Sequence, residues 1–191
     1  MPEILKTHIA RFISLKGEDS SQVLSFFQSI HLKKKQNILS EGQVCKQHYF
    51  VEKGLLRMFY INDKGVEHTI QFALENWWLT DLMSYQDRRP SGFYIQAVEA
   101  TELMAINLED QEKLLEQYPV MEKYFRIIFQ KAYAANQLRI KYIHDLSSAE
   151  MYDRFAGQNP AFVQRVPQYL LASFLGFTPE YLSELRRKKL S

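Results

Sequence analysis

The chain has 191 residues, is 46% hydrophobic and 24% charged, and carries a formal net charge of +2. That balance belongs to a folded globular protein and excludes a disordered or fibrous one. A single cysteine, Cys45, excludes an internal disulfide framework and any multi-cysteine zinc or iron–sulfur site, and fits a reducing cytoplasm.

The N-terminal stretch MPEILKTHIARFISLKGEDS intersperses charges among its apolar residues, unlike a secretory signal. No apolar run approaches the ~20 residues that cross a bilayer. A cytoplasmic chain with no membrane partner is expected. Residues 1 to about 30 read as helical, with Ile4, Leu5, His8, Ile9 and Phe12 on one face and Val23, Leu24 and Phe27 on another.

From about Gln36 to Leu108 the period changes to short β-branched and aromatic runs: NILSEG, HYFVEKG, LLRMFYI, VEHTIQFA, FYIQAVEA and TELMAI. Asn62–Gly65, reading NDKG, predicts a hairpin between the third and fourth. Short strands with regularly spaced turns predict a β-roll, jelly roll or barrel.

A helix is predicted from Pro119 to about Leu146, with no proline or glycine inside it. Met121, Phe125, Ile128, Ala132, Ala135, Leu138 and Tyr142 recur every three or four residues, close to a heptad seam. Tyr124, Ile127 and Tyr133 lie off that seam, which leaves more apolar surface than one face of a small roll covers. The seam is therefore expected to pack against a second copy, making a homodimer. Ser147 and Glu150 form a capping box for a further helix, Gly157 is a candidate stop, and Asn159-Pro160 a turn.

In QYLLASFLGFTPEYLSEL, Leu171, Ala172 and Leu175 form the inner face of one helix and Gly176 ends it. Phe177 packs inward, Thr178 caps a second helix with Pro179 at its first position, and Leu182 and Leu185 supply that helix's inner face. This is the helix-turn-helix pattern. Thr178, Glu180, Tyr181, Ser183 and Glu184 are the candidate base-facing residues, and Arg186, Arg187 and Lys188 the candidate phosphate contacts. From Pro160 onward five basic residues stand against two acidic ones, the asymmetry expected of a polyanion-binding end.

With those residues in place, the chain resembles the Crp/Fnr family of bacterial transcription regulators, most of all its short Bacteroidetes-type members. EKGLLRMFYINDKGVEHTIQF is similar to the family's roll segment, ENWWLTDLMSYQDRRPSGFYIQAVEATELMAI to its ligand cassette, and LASFLGFTPEYLSEL to its helix-turn-helix. The resemblance implies an α+β chain in three parts. These are an effector β-roll over 1–115 (double-stranded and jelly-roll-like), a long dimerisation helix over 116–146, and a winged helix-turn-helix over 147–191. It also implies a homodimer on a palindromic DNA operator, RNA polymerase as a partner, and no enzymatic activity.

The cassette departs from the family. Where nucleotide-binding members carry Gly-Glu and Arg-Ser or Arg-Ala, this chain has Thr80-Asp81 and Ser91-Gly92, with Arg88 and Arg89 nearby. Without an arginine at the phosphate position a buried cyclic phosphate is poorly neutralised. Cyclic AMP is therefore not expected as effector, and the small molecule sensed, where there is one, is unknown. Family members that read the common half-site use a glutamate and then Ser-Arg. Glu180 and Ser183 match, but Glu184 replaces the arginine, which predicts altered specificity, or pairing with Lys188 one turn on. His8, His31, His48, His68 and His144 are read as ordinary surface or core residues, with no metal site expected.

Two other classes stay open. One is a small-molecule-sensing roll or cupin-like metal enzyme that does not bind DNA, drawing on His48, His68, Glu41, Glu52 and Glu67. The other is a degenerate regulator that binds only protein partners.

Overall fold

The computed structural model describes residues 3–15 and 19–190, without the side chains of residues 188–190. Two short helices, α1 (Glu3–Ala10) and α2 (Asp19–Ser25), precede the strands. The strands are β1 (Gln28–Leu32), β2 (Asn37–Leu39), β3 (Gln47–Lys53), β4 (Leu56–Ile61), β5 (Glu67–Ala73), β6 (Trp78–Leu79), β7 (Tyr94–Ala97) and β8 (Thr101–Asn107). One short helix, α3 (Leu82–Asp87), interrupts them. Then come α4 (Leu108–Gln117), α5 (Val120–Asp145), α6 (Ser148–Gln158), α7 (Pro160–Arg165), α8 (Gln168–Leu175) and α9 (Pro179–Leu190).

The described strands form two four-stranded sheets, ordered β1-β8-β3-β6 and β2-β7-β4-β5, with antiparallel pairing. The predicted runs become strands β2, β3, β4, β5, β7 and β8. The helices α3 and α4 have no counterpart in the sequence reading, and three features of the strands depart from it. β1 occupies residues read as the end of the helical region, β6 has no counterpart among the predicted runs, and no strand follows Asn107 among the described residues. The C-terminal part there is helical only, so the expected wing is not formed.

Compactness divides the chain into two units. One comprises the residues up to Tyr60 with Gln71–Lys131; the other comprises Ile61–Ile70 with the residues from Ala132 onward. In the first, strand alternation sorts side chains to two buried faces. Phe50, Met104 and Ile106 join Leu5, Ile9, Val23, Leu114, Met121, Tyr124 and Phe125 in a core beneath the helices. Their alternates Tyr49, Val51, Leu103 and Ala105 are buried inside the roll.

In the helix-side core one hydroxyl links two other polar side chains, whereas His48 Nδ1 is buried without a hydrogen-bond partner. The Trp78 indole N–H donates to the Tyr124 hydroxyl at 2.9 Å, and that hydroxyl lies 2.8 Å from His8 Nδ1. Indole nitrogen only donates, so the Tyr124 oxygen accepts from Trp78. Burial, with the Arg11 and Lys131 cations adding to it, lowers the His8 pKa to about 4. His48 lies in a cage of aromatic rings, with Trp78 at 4.5 Å and a stacked Phe129 at 5.8 Å. Burial lowers its pKa to about 3.

Gly54 closes the β3–β4 turn at φ +100, and a Cβ there would stand 2.6 Å from Thr101 Oγ1 and 2.7 Å from the Ala100 carbonyl oxygen. Only glycine meets both conditions. Gly54→Ala should lower stability by more than about 1 kcal/mol, read as a drop in the urea midpoint at an unchanged slope.

The histidines set a pH dependence. Unfolded histidine titrates near 6.5, whereas His8 and His48 take up protons in the folded chain only near 4 and 3. The unfolded state therefore binds more protons through this window. Stability should be complete above pH ~6.5 and fall as pH drops toward 4, by at most ~1.4 kcal/mol per pH unit for each histidine. Melting temperatures between pH 7.5 and 5 check this, and His48→Leu should make the decline shallower.

Candidate nucleic-acid interface and effector cassette

α8 and α9 form the predicted helical pair. Leu170, Leu171, Ala172 and Leu175 bury one side of α8, and Leu182 is fully buried on α9. Between them Gly176 takes a left-handed φ of 79, and the Phe177 N–H donates to the Ala172 carbonyl at 2.8 Å. That bond closes the last turn of α8 and turns the chain into α9 within three residues. Thr178 caps α9, its Oγ1 accepting from the Tyr181 N–H at 3.2 Å, with Pro179 at the first helical position.

This geometry puts Thr178, Glu180, Tyr181, Ser183, Glu184 and Arg187 on the solvent side of α9, with Arg186 half-buried. The Tyr181 ring leans edge-on against Phe177 at 5.7 Å. The Lys188 side chain, and with it the Glu184–Lys188 pairing, lies outside the described residues. Upstream, the capping box forms as read, the Ser147 Oγ accepting from the Glu150 N–H and the Glu150 carboxylate accepting from the Ser147 N–H. α6 runs one residue past Gly157, and Asn159 passes the chain to Pro160 at the start of α7.

In the roll, the cassette residues divide. Thr80, Asp81 and Ser91 turn inward into one hydrogen-bonded group. The Asp81 carboxylate accepts from the Ser84 N–H at 3.3 Å, capping α3, and from the Ser91 hydroxyl at 2.7 Å. The Ser84 hydroxyl donates to the Arg89 carbonyl at 2.6 Å and accepts from the Cys45 N–H at 2.8 Å. Thr80 Oγ1 donates to the Gln47 carbonyl at 3.0 Å. Asp81, Ser84 and Ser91 are each less than a tenth exposed.

The arginines do not join them. Arg88 reaches Glu109 at 3.4 Å and Arg89 reaches Asp87 at 3.8 Å, all partly or largely in solvent. Gly92 has open space where a Cβ would stand. The carboxylate suited to accept a sugar hydroxyl is thus already satisfied by the chain itself, and no arginine side chain stands with it.

One buried cation has no counterpart in the sequence reading. Arg57 on β4 is 4% exposed. Its Nε and Nη2 both donate to Gln96 Oε1, at 3.0 and 2.7 Å, and its guanidinium sits 3.9 Å over the Phe59 ring. It stands inside an apolar strand run, where the only available signal is a lone arginine among LLRMFYI.

The seam of α5 divides as well. Met121 and Phe125, expected at a dimer interface, are buried in this chain's own core with Tyr124, which corrects the expectation for those residues. Ile128 packs against the same core. Ala132, Ala135 and Leu138 are exposed, together with Tyr133, Ile140 and Ile143. Tyr142 is half-buried, with the Arg154 guanidinium 4.7 Å over its ring. Among the described residues no three His, Cys, Asp or Glu side chains are grouped to hold a metal, and no helix is long and apolar enough to cross a membrane.

Residues 29–118 match the family described as "Cyclic nucleotide-binding domain". No curated protein matches the chain in sequence. Among solved structures, a CooA variant from Carboxydothermus hydrogenoformans is similar with a TM-score of 0.71 and 17% identity, covering 91% of this chain and 81% of that one. The catabolite activator protein of Thermus thermophilus is similar at 0.56 and 23%, covering 93% and 84%. The c-di-GMP responsive global regulator CLP of Xanthomonas campestris is similar at 0.67 and 14%, covering 89% of each. The chain shares the fold of these solved structures.

Since the Asp81–Ser91 pair fills the cassette with its own hydrogen bonds, cyclic AMP should leave the melting temperature unchanged. A ligand at a hundred times its Kd would stabilise the folded state by about 2.7 kcal/mol, so a saturable upward shift in a thermal melt would refute this reading.

Proposed function

We propose that the protein is a homodimeric, DNA-binding transcription regulator of the Crp/Fnr type, cytoplasmic and without enzymatic activity, acting on a palindromic operator alongside RNA polymerase. The observation that carries the reading is the α8–Gly176–α9 arrangement. A capped helix held against its partner by Ala172 and Leu182 presents Glu180, Tyr181, Ser183 and Glu184 to solvent. Side chains in the first turns of such a helix reach base edges in the major groove. Arg186 and Arg187, later on α9, supply phosphate contacts, which give affinity without sequence information.

Glu184 sets the specificity apart. A carboxylate accepts, for instance from cytosine N4, where an arginine would donate to guanine. The operator is therefore not the family's common half-site. The dimer rests on the second half of α5, where Ala132, Ala135 and Leu138 remain exposed on the seam after the first half is used by the roll. Cyclic AMP is not the effector, because the cassette carboxylate is already bonded to Ser84 and Ser91; the roll senses another small molecule or none. The c-di-GMP responsiveness named for the Xanthomonas regulator is consistent with this fold serving effectors other than cyclic AMP.

Selection from random duplexes should return a symmetric site. Replacing both Arg186 and Arg187 with alanine should weaken binding to every sequence and make the salt dependence shallower, by roughly 0.9 log units for each phosphate no longer neutralised. If no symmetric site is enriched and the double variant binds as the parent does, the proposal fails.

A further inference from the structure

The second unit contains a polar junction that the reading helix alone does not require. β5 is an edge strand, and an edge leaves backbone donors and acceptors unpaired. Here one hydroxyl serves two of them. The Ser173 Oγ on α8 accepts from the Thr69 N–H at 2.9 Å and donates to the Glu67 carbonyl at 3.0 Å.

Beside it, Arg139 of α5 makes a fork. Its Nη1 donates to the Ile70 carbonyl and its Nη2 to the Phe174 carbonyl, the latter at 2.9 Å. Its guanidinium also lies 4.2 Å over the Phe174 ring, which in turn packs 5.7 Å from Phe155 of α6. Phe174 is in the last turn of α8, where carbonyls have no partner within the helix and a cation is favoured. Two residues later Gly176 begins the turn into α9. Burial lowers the Arg139 pKa from its usual value, but two carbonyls and a ring face still hold its charge.

We infer that Arg139 and Ser173 form a clamp that joins the Ile61–Ile70 hairpin to α8, and that Arg139 is a positioning residue for the DNA-reading helix. The inference rests on the proposed DNA-binding function. The hairpin is the tip of β4 and β5, strands that continue into the roll, so a displacement of those strands is carried along the chain to Glu67, Thr69 and Ile70. The clamp passes it to the end of α8 that aims α9. Lysine cannot replace the fork, since a single ammonium lacks two parallel donors and a stacking plane. The Thr69 hydroxyl, 2% exposed, has no hydrogen-bond partner in this junction. The clamp therefore closes with one buried polar group unsatisfied, which lowers the cost of opening it.

Three variants of the full chain test this: R139A, R139K and S173A, the last removing only a hydroxyl in case the first two fold poorly. Hydrogen exchange at the Thr69 amide should accelerate at least about tenfold in S173A and R139A. DNA affinity, on a site selected with the parent, should fall roughly threefold to thirtyfold in R139A and R139K, the range of coupling through packed networks. The slope of affinity against salt should not change, because the clamp arginine neutralises no phosphate. Unaltered Thr69 exchange overturns the clamp, as does affinity that is unchanged or increased. A slope shallower by one charge overturns it too, by making Arg139 a direct phosphate contact. If the parent selects no DNA, the functional reading fails, and the exchange measurement judges the clamp alone.

Discussion

The Tyr124 hydroxyl is the constraint on which the first unit depends. It is buried, it accepts from Trp78 of β6, and it shares a hydrogen bond with His8 of α1. Each of those polar atoms would cost more buried and unpaired than the bond returns when made. Three elements distant in sequence must therefore arrive in one register, and apolar packing alone does not demand that. Leucine cores tolerate slippage, whereas a buried hydrogen-bonded network does not. Because Tyr124 lies in the second turn of α5, between the buried Met121 and Phe125, this triad decides where the long helix starts on the roll.

The strands are legible in the sequence because each half-buried run ends in turn chemistry. Asn62 shows why. Its side-chain oxygen accepts from the Lys64 and Val66 N–H groups, and Gly65 takes a φ of 75, so the hairpin is built from the residue types that announce it. β1 is not legible, because QSIHL is mostly exposed along its length and carries no clean alternation. β6 has two residues, too few for any period. The α5 seam misleads for a different reason. Heptad spacing reports that a stripe is apolar, not which surface covers it, and the first half of the stripe is covered by the chain's own roll.

The cassette shows the limit more sharply. Asp81 and Ser91 read as possible ligand contacts because their groups can bond a sugar or an anion. The same capacity lets them bond each other, and the pairing of Val44 with Pro90 and the Gly42–Ser91 and Ser91–Gln43 backbone bonds bring the loop in close enough to do so. Sequence lists the donors and acceptors; only the loop path decides whether they are spent internally. By contrast the α8–α9 turn leaves little to the loop path. The positive φ at Gly176 and the Thr178 cap are local properties, settled within a few residues.

The long helix joins these observations. α5 has no glycine or proline between Val120 and Asp145, so it has no built-in hinge of the kind that kinks helices. Its first turns are held by the Tyr124 triad, its exposed apolar residues, Tyr133, Leu138, Ile140 and Ile143, call for cover, and Arg139 holds the hairpin and α8. Leu138 and Arg139 are adjacent, about 100° apart around the helix. Any rotation of this segment that repacks the Leu138 stripe must also swing the guanidinium, because an unbroken helix transmits the turn. Repacking of the exposed stripe and movement of the Arg139 guanidinium are therefore tied together in this helix.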